Sequence, residues 1–214
     1  MRYKVLYSRR KDDCRKQAGI TLTELCISLT IITVIAALSV PSYHHLTQSS
    51  QATSAINWIL GIVQYTRSAA IQFNVTTTLC PTINGDRCEG NWHQGSMVFT
   101  DHNADASING RDRILRRFFF PEGIKGASLK WRAFRNRQYL QISPLGFTRY
   151  QNGNFTYCPA SGDLRYARQI IINQQGRVRK AYDRNEDGIR EDSRGRPLRC
   201  QTYLSTLSVS SASC

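Results

Sequence analysis

Close to the end of the chain, the stretch "NQQGRVRKAYDR" sets Arg177 and Arg179 two residues apart, directly after Gly176, with Lys180 and Arg184 close behind. A guanidinium carries a planar fork of donors that can meet a phosphate in two places, so a pair at this spacing is chemistry for an anionic polymer. Spacing matters as much as type. In an extended chain alternate side chains point to opposite faces, so Arg177 and Arg179 share one side and Val178 takes the other. Both arginines could then bridge neighbouring phosphates along one strand, through contacts that position a backbone and carry no sequence code. Gly176 can adopt positive φ at no steric cost and so allow a tight reversal before them. The same four residues equally suit a solvated hairpin that binds nothing, and the residues alone leave both readings open.

The element that must present this turn is the run "RQIIINQQG", which reads as a buried strand ending at Gln174 and Gln175. It is one of several. From Val75 onward, "VTTTLCP", "GSMVFTD", "RILRRFFF", "YLQISP" and "NFTYC" are short runs of β-branched and aromatic residues, separated by Gly, Asn, Asp or Pro. Ahead of them Ile56, Ile59, Leu60, Val63 and Ala70 recur at three- and four-residue spacing, the pattern of an amphipathic helix. A long helix followed by six to eight strands predicts an α+β fold, with the helix packed on antiparallel sheets. No internal repeat or low-complexity linker interrupts the 214 residues. Pro41 is expected to kink or locally melt the helix, because it removes one backbone donor and crowds the preceding turn.

The formal charge of +14 favours an acidic partner such as nucleic acid or anionic lipid. Part of it sits in the first nineteen residues, where seven basic and two acidic side chains account for +5 and leave +9 beyond. After them Ile20 to Val40 holds one ionisable residue, Glu24, and is long enough for a membrane-spanning helix. The basic segment before it predicts a cytoplasmic N-terminus. In a secretory signal the cleavage site follows the apolar run. Here the small residues Ala18 and Gly19 precede it, so a cut after Gly19 leaves the helix on the mature chain. A carboxylate near the start of a membrane helix is costly; Glu24 can be neutralised by the new amino terminus of a neighbouring copy. The alternative is a plain anchor whose Glu24 lies at the membrane interface.

A basic leader, Gly19, an apolar start at Ile20, Glu24 fifth in the mature chain and Pro41 twenty-second resemble the type IV prepilins and pseudopilins. Ile20 departs from the Phe common in that family, and Cys26 inside the apolar run is unusual for it. Further on, "TTTLCPTINGDRCEGNWHQGSMVFTDHNADASINGRDRILRRF", "YLQISPLGFTRYQNGNFTYCP" and "IIINQQGRVRKAYDRNEDG" are similar to the FimT/GspH branch, the H-type pseudopilins. This resemblance implies the type IV pilin fold: residues 1–19 a leader, 20–46 the transmembrane and filament-core half of the helix, and 47–214 a globular domain of two small antiparallel sheets. It implies cleavage between Gly19 and Ile20 by a prepilin peptidase, methylation of the new N-terminus, and a role for Glu24 in assembly with other pilins. The protein would sit in the inner membrane with a periplasmic domain, then in an extracellular pilus. In FimT-type minor pilins a Gly-Arg-x-Arg motif binds DNA during natural transformation. Carried over, the binders of double-stranded DNA are Arg177 and Arg179, positioned by Gly176, with Lys180 and Arg184 adding charge. The competing implication is a structural minor pilin or pseudopilin that binds no DNA.

Other chemistry is sparse. Of seven cysteines, Cys14 leaves with the leader and Cys26 lies in the apolar run. In an oxidising compartment Cys80 and Cys88, flanking a Gly- and Asp-containing loop, are the best disulfide pair, and Cys158 and Cys200 could tie the C-terminal excursion to the sheet. Cys214 is then odd. "DHNADASINGRD" approaches a calcium loop, with Asp101, Asn103, Asp105, Asn109 and Asp112 in register, but Ala106 replaces the turn glycine and Asp112 is short for a bidentate ligand. "DRNEDGIRED" begins alike at Asp183, yet its twelfth position is Arg194, so a turn-rich loop suits it better. No metal or cofactor is expected, and no nucleophile motif, phosphate loop or acid/base pair points to an enzyme. Two further basic clusters, Arg111, Arg113, Arg116 and Arg117, and Lys130, Arg132, Arg135 and Arg137, read as solvated strand faces beside core aromatics.

Overall fold

The computed structural model describes residues 19–124 and 126–200, with backbone alone at 38 and 40–42. The leader up to residue 18, with Cys14, and the tail with Cys214 lie outside the described residues. The chain divides into two compact units, Met1–His44 and His45–Cys214.

In the first unit the helix α1, which spans Leu22–Phe73, begins behind Thr21. The Thr21 hydroxyl accepts the Glu24 backbone N–H at 3.3 Å, satisfying one of the donors that a helix start leaves without a partner. Glu24 stands in this first turn, where the helix dipole favours a carboxylate. Ser28, Thr30, Thr33 and Ser39 donate their hydroxyls back to helix carbonyls, while Ile27, Leu29, Ile31, Ile32, Val34 and Ile35 are exposed. Helical backbone continues through Pro41, so the local melting expected there does not occur. Proline deletes a single i→i−4 bond, and the turns on either side keep theirs. Among the described residues no helix is long and apolar enough to cross a membrane, so α1 itself does not establish the expected transmembrane half.

The second unit is built on the rest of α1. Ala52, Ala55, Ile56, Ile59, Ile62, Val63 and Ala70 are buried, three and four residues apart, as one face of a helix must be to enter a core. Eight strands follow among the described residues: β1 (Thr77–Pro81), β2 (Gly95–Thr100), β3 (Ile114–Phe119), β4 (Ser128–Ala133), β5 (Leu140–Ile142), β6 (Gly153–Cys158), β7 (Arg168–Ile172) and β8 (Val178–Lys180). They form two antiparallel sheets, ordered β3-β2-β1-β5 and β4-β6-β7-β8. Leu79, Val98, Leu140 and Ile142 from the first sheet join Leu129, Trp131, Phe155, Tyr157, Ile170 and Ile172 from the second in one core with the helix. Strands β1 and β2 are buried on both faces, because Cys80, Met97 and Phe99 pack on the far side against Ile108, Ile114 and Tyr139. That is the expected α+β architecture.

Two strands, β4 and β8, were not among the six runs that patterning picks out. Lys130 and Arg132 interrupt the apolar signal of β4, yet Leu129 and Trp131 alternate inward. The aromatics near the basic clusters are only partly core. Phe118 and Phe120 pack edge-on against Tyr65 and Trp58 of α1, whereas Phe119 and Phe134 are exposed. Phe119 faces away because strand alternation puts it opposite its two neighbours.

Disulfides join Cys80 to Cys88 and Cys158 to Cys200. The first closes 8 residues of sequence separation and the second 42. Loop-closure entropy then makes the second the stronger staple by about 1.5 kcal/mol. Cys158→Ser/Cys200→Ser should therefore lower the denaturant midpoint more than Cys80→Ser/Cys88→Ser. Equal or reversed losses in chemical unfolding would contradict the entropic account.

Candidate nucleic-acid interface

Ile170 and Ile172 anchor β7 in the core, and the chain reverses over Asn173–Arg177 into β8. Asn173 organises the reversal. Its carbonyl accepts the Gly176 N–H at 3.0 Å, its own N–H donates to the Arg177 carbonyl at 3.1 Å, and its side-chain oxygen accepts the Arg177 N–H at 2.9 Å. Gly176 is buried at φ +72°, and a Cβ there would run into the backbone carbonyl oxygen of Gly146. Glycine is needed twice over: for the left-handed backbone and for the close approach of a second loop.

That second loop, residues 143–150, holds the turn from one side. Thr148 donates its N–H and its hydroxyl to the Gln174 carbonyl, at 2.9 and 3.2 Å. Arg67 of α1 also reaches the Gly176 carbonyl, at 3.5 Å. The hairpin tip is thereby fixed to both helix and loop.

Val178 packs against the core, pairing with Ile172, which sends Arg177 and Arg179 the opposite way. Both are exposed and have no side-chain partner among the described residues. Lys180 behaves differently. It shares the Val178 side of the strand, and its ammonium donates to Asn57 Oδ1 on α1 at 3.0 Å. Arg184 lies beyond β8 in the loop with Asp183, Glu186 and Asp187, its backbone N–H bonded to the buried Glu191 carboxylate. The structure therefore groups Arg177 with Arg179 and separates them from Lys180 and Arg184.

Sequence patterning misses Arg149 and Arg67. Exposed Arg149 belongs to the loop that clamps the turn, and a separation of 26 residues between Thr148 and Gln174 hides that contact from any local signal. Several other arginines are committed elsewhere. Arg116 lies over the rings of Tyr65 and Phe118, Arg117 donates to the Gly85 carbonyl at 2.6 Å, and Arg137 bonds the Tyr139 hydroxyl. At the base of β7, Arg168 is half-buried beside Arg190. Burial and that neighbouring charge lower its pKa to about 10, still cationic at neutral pH.

The two calcium-like loops close on themselves. Buried Asp101 accepts from Thr78, Gln141, Asp105 and Ala106, and Asp112 accepts from His102 and Asn109. Asp105 is held below the usual carboxylate range by the Ser107 N–H and the Asn109 amide. Asp101 spends its lone pairs on β1, β5 and its own loop, and Asp105 and Asp112 spend theirs within the hairpin. No group of three or more metal-ligating side chains forms among the described residues.

A family model, Type II transport protein GspH, matches residues 55–176, more than half of the chain. The chain belongs to this family. It is a minor pilin or pseudopilin of the GspH/FimT type, whose members are structural, membrane-anchored proteins that associate with other pilins in a filament. Among solved structures, the type IV minor pilin FimU of Pseudomonas aeruginosa is 20% identical and superposes with a TM-score of 0.51, over 73% of this chain and 99% of that one. The minor pseudopilin EpsH from the Type 2 Secretion System of Vibrio cholerae is more distant, at 10% identity and TM-score 0.37, over 59% and 95% of the two chains. The FimU likeness shows the type IV pilin fold. No curated protein matches the chain. The family match stops at the turn glycine, so Arg177 and Arg179 lie just outside what this minor pilin shares with it.

Gly176→Ala tests the turn geometry. Strained φ and the Gly146 contact together should cost about 2 kcal/mol or more, seen as a lowered midpoint in thermal unfolding. A variant as stable as the parent would show that the two loops do not depend on this close approach.

Proposed function

We propose that this minor pilin binds extracellular double-stranded DNA without sequence specificity, for uptake in natural transformation. The observation that carries the reading is the pair Arg177 and Arg179: exposed, free of side-chain partners among the described residues, and presented by a turn held by both α1 and the 143–150 loop. With the backbone of the turn already held, only the two side chains have to be ordered on meeting two phosphates. The net charge of +9 beyond the leader supports an anionic partner. Lys180 and Arg184 contribute field more than contact, since one is bonded to Asn57 and the other sits among acids.

For delivery to the filament, the reading includes cleavage between Gly19 and Ile20 by a prepilin peptidase and methylation of Ile20. Residues 20–46 serve as the single inner-membrane anchor, with the domain from residue 47 in the periplasm and later on the pilus. Glu24, at the N-terminal turn of α1, pairs with the amino terminus of a neighbouring pilin.

Each phosphate contact adds about −0.9 to the slope of log affinity against log salt, so two arginines weaken binding about twelvefold between 50 and 200 mM. Gel-shift titration of the purified full chain in detergent should show this salt-sensitive affinity. Arg177→Gln/Arg179→Gln should abolish it, while Lys180→Gln changes it little. Unchanged binding in the double variant would move the site to the clusters around Arg111 or Arg132. A second reading, a structural minor pilin or H-type pseudopilin without DNA binding, draws on the GspH match ending before Arg177. Absence of any binding at low salt would leave that reading alone.

Glu24→Ala separates assembly from capture. Incorporation into pili should fall while the DNA affinity of the purified chain is kept. Loss of both would mean that the two roles are not divided between the ends of the molecule.

A further inference from the structure

Between the two clamped loops lies an open groove of about 680 Å³, lined by residues Phe147 to Tyr150 on one side and Asn173 to Gln175 on the other. Its volume is that of a site for one small organic group. Two aromatic rings stand unburied at its wall, Phe147 at 46% and Tyr150 at 76% exposure. Tyr150 also has φ +64°, a left-handed conformation that a bulky side chain adopts at a cost. Its N–H donates to the Thr148 carbonyl at 2.9 Å, which holds it there. The rest of the lining is the Thr148 hydroxyl, three side-chain amides and one guanidinium. Gln174 and Gln175 offer both donors and acceptors, and the exposed Arg149 guanidinium has no partner among the described residues. Among the described residues no carboxylate lines the groove.

We propose that this groove is a base-stacking site that takes an unpaired nucleobase of DNA, beside the phosphate contacts of Arg177 and Arg179. The inference rests on the DNA-binding reading and deepens it. An aromatic face attracts any base, and amides can meet the edge of whichever base arrives, so the site adds affinity without imposing sequence. Arg149 supplies a phosphate contact on the far wall from Arg177. Bases inside a duplex have no free face for Tyr150, so the occupant is a single-stranded, frayed or nicked segment. Phosphates cannot produce that preference, because counterion release favours the more densely charged duplex.

The experiment compares the full chain's affinity for single-stranded (dT)12, for an abasic 12-mer with the same phosphates, and for a blunt 12-base-pair duplex, by fluorescence anisotropy at fixed salt. The (dT)12 strand is expected to bind about tenfold tighter than the abasic strand. Phe147→Leu/Tyr150→Asn should erase that difference and leave duplex binding unchanged; Asn tolerates the left-handed backbone at 150. If this variant is unstable, ring-proton shifts of Tyr150 in the unaltered chain on adding (dT)12, and not on adding the abasic strand, carry the same information. Equal binding of the two strands, with duplex still bound, overturns the groove and spares the arginine pair. Loss of all three complexes overturns both. Impaired pilus incorporation in the variant with base dependence intact would make the groove a contact between subunits and overturn the proposal.

Discussion

Everything in the globular unit hangs on one apolar helix face. Ile56, Ile59, Ile62 and Val63 of α1 meet side chains from both sheets in a single core, so neither sheet is buried without the helix. At about 25 cal/mol per Å² of apolar surface, each large aliphatic side chain in this seam is worth roughly 1.5–3 kcal/mol. That exceeds any single hydrogen bond or surface ion pair in the unit. The three Arg–carboxylate ion pairs found in the described residues join near neighbours in sequence, and serve loops more than the fold.

The hairpin of β7 and β8 inherits its position from that seam. Ile170 and Ile172 commit β7 to the core, and Val178 commits β8, which leaves Arg177 and Arg179 nowhere to go but outward. Two long-range contacts then turn an outward-pointing hairpin into a fixed one: the Arg67 reach to Gly176 and the Thr148 bonds to Gln174. A tip held this way loses less freedom on meeting a ligand than a free loop does. The same contacts create the groove beside it, because residues 143–150 are drawn against the turn without filling the space between. Exposed aromatics and amides are left at its walls.

Charge is divided by surroundings more than by residue type. Arg116 and Arg137 lie over aromatic rings, Arg117 closes on the Gly85 carbonyl, and Arg168 is half-buried with its pKa lowered. Lys180, next in line after Arg179, is turned back to α1. A formal charge of +14 therefore overstates what a polyanion would meet, since rings, carbonyls and carboxylates already hold part of it.

The sequence by itself determined the helix, six of the eight described strands and the opposite facing of Val178 and its flanking arginines. These are properties of local periodicity and spacing, and hydrophobic burial enforces them wherever the chain folds. It also pointed to the pilin family, through Gly19, Glu24 and the Cys-Pro and Phe-Thr-Asp strand ends. Only the tertiary structure decided that β4 and β8 are strands, since each is short and its apolar alternation is masked by Lys and Arg. Only it took Lys180 out of the arginine group, carried helix through Pro41, and brought Arg67 and the 143–150 loop to Gly176. The placing of Lys180 and of the loops at Gly176 depends on contacts between residues 26 to 123 positions apart, and no local pattern encodes which of two exposed faces a distant element will cover.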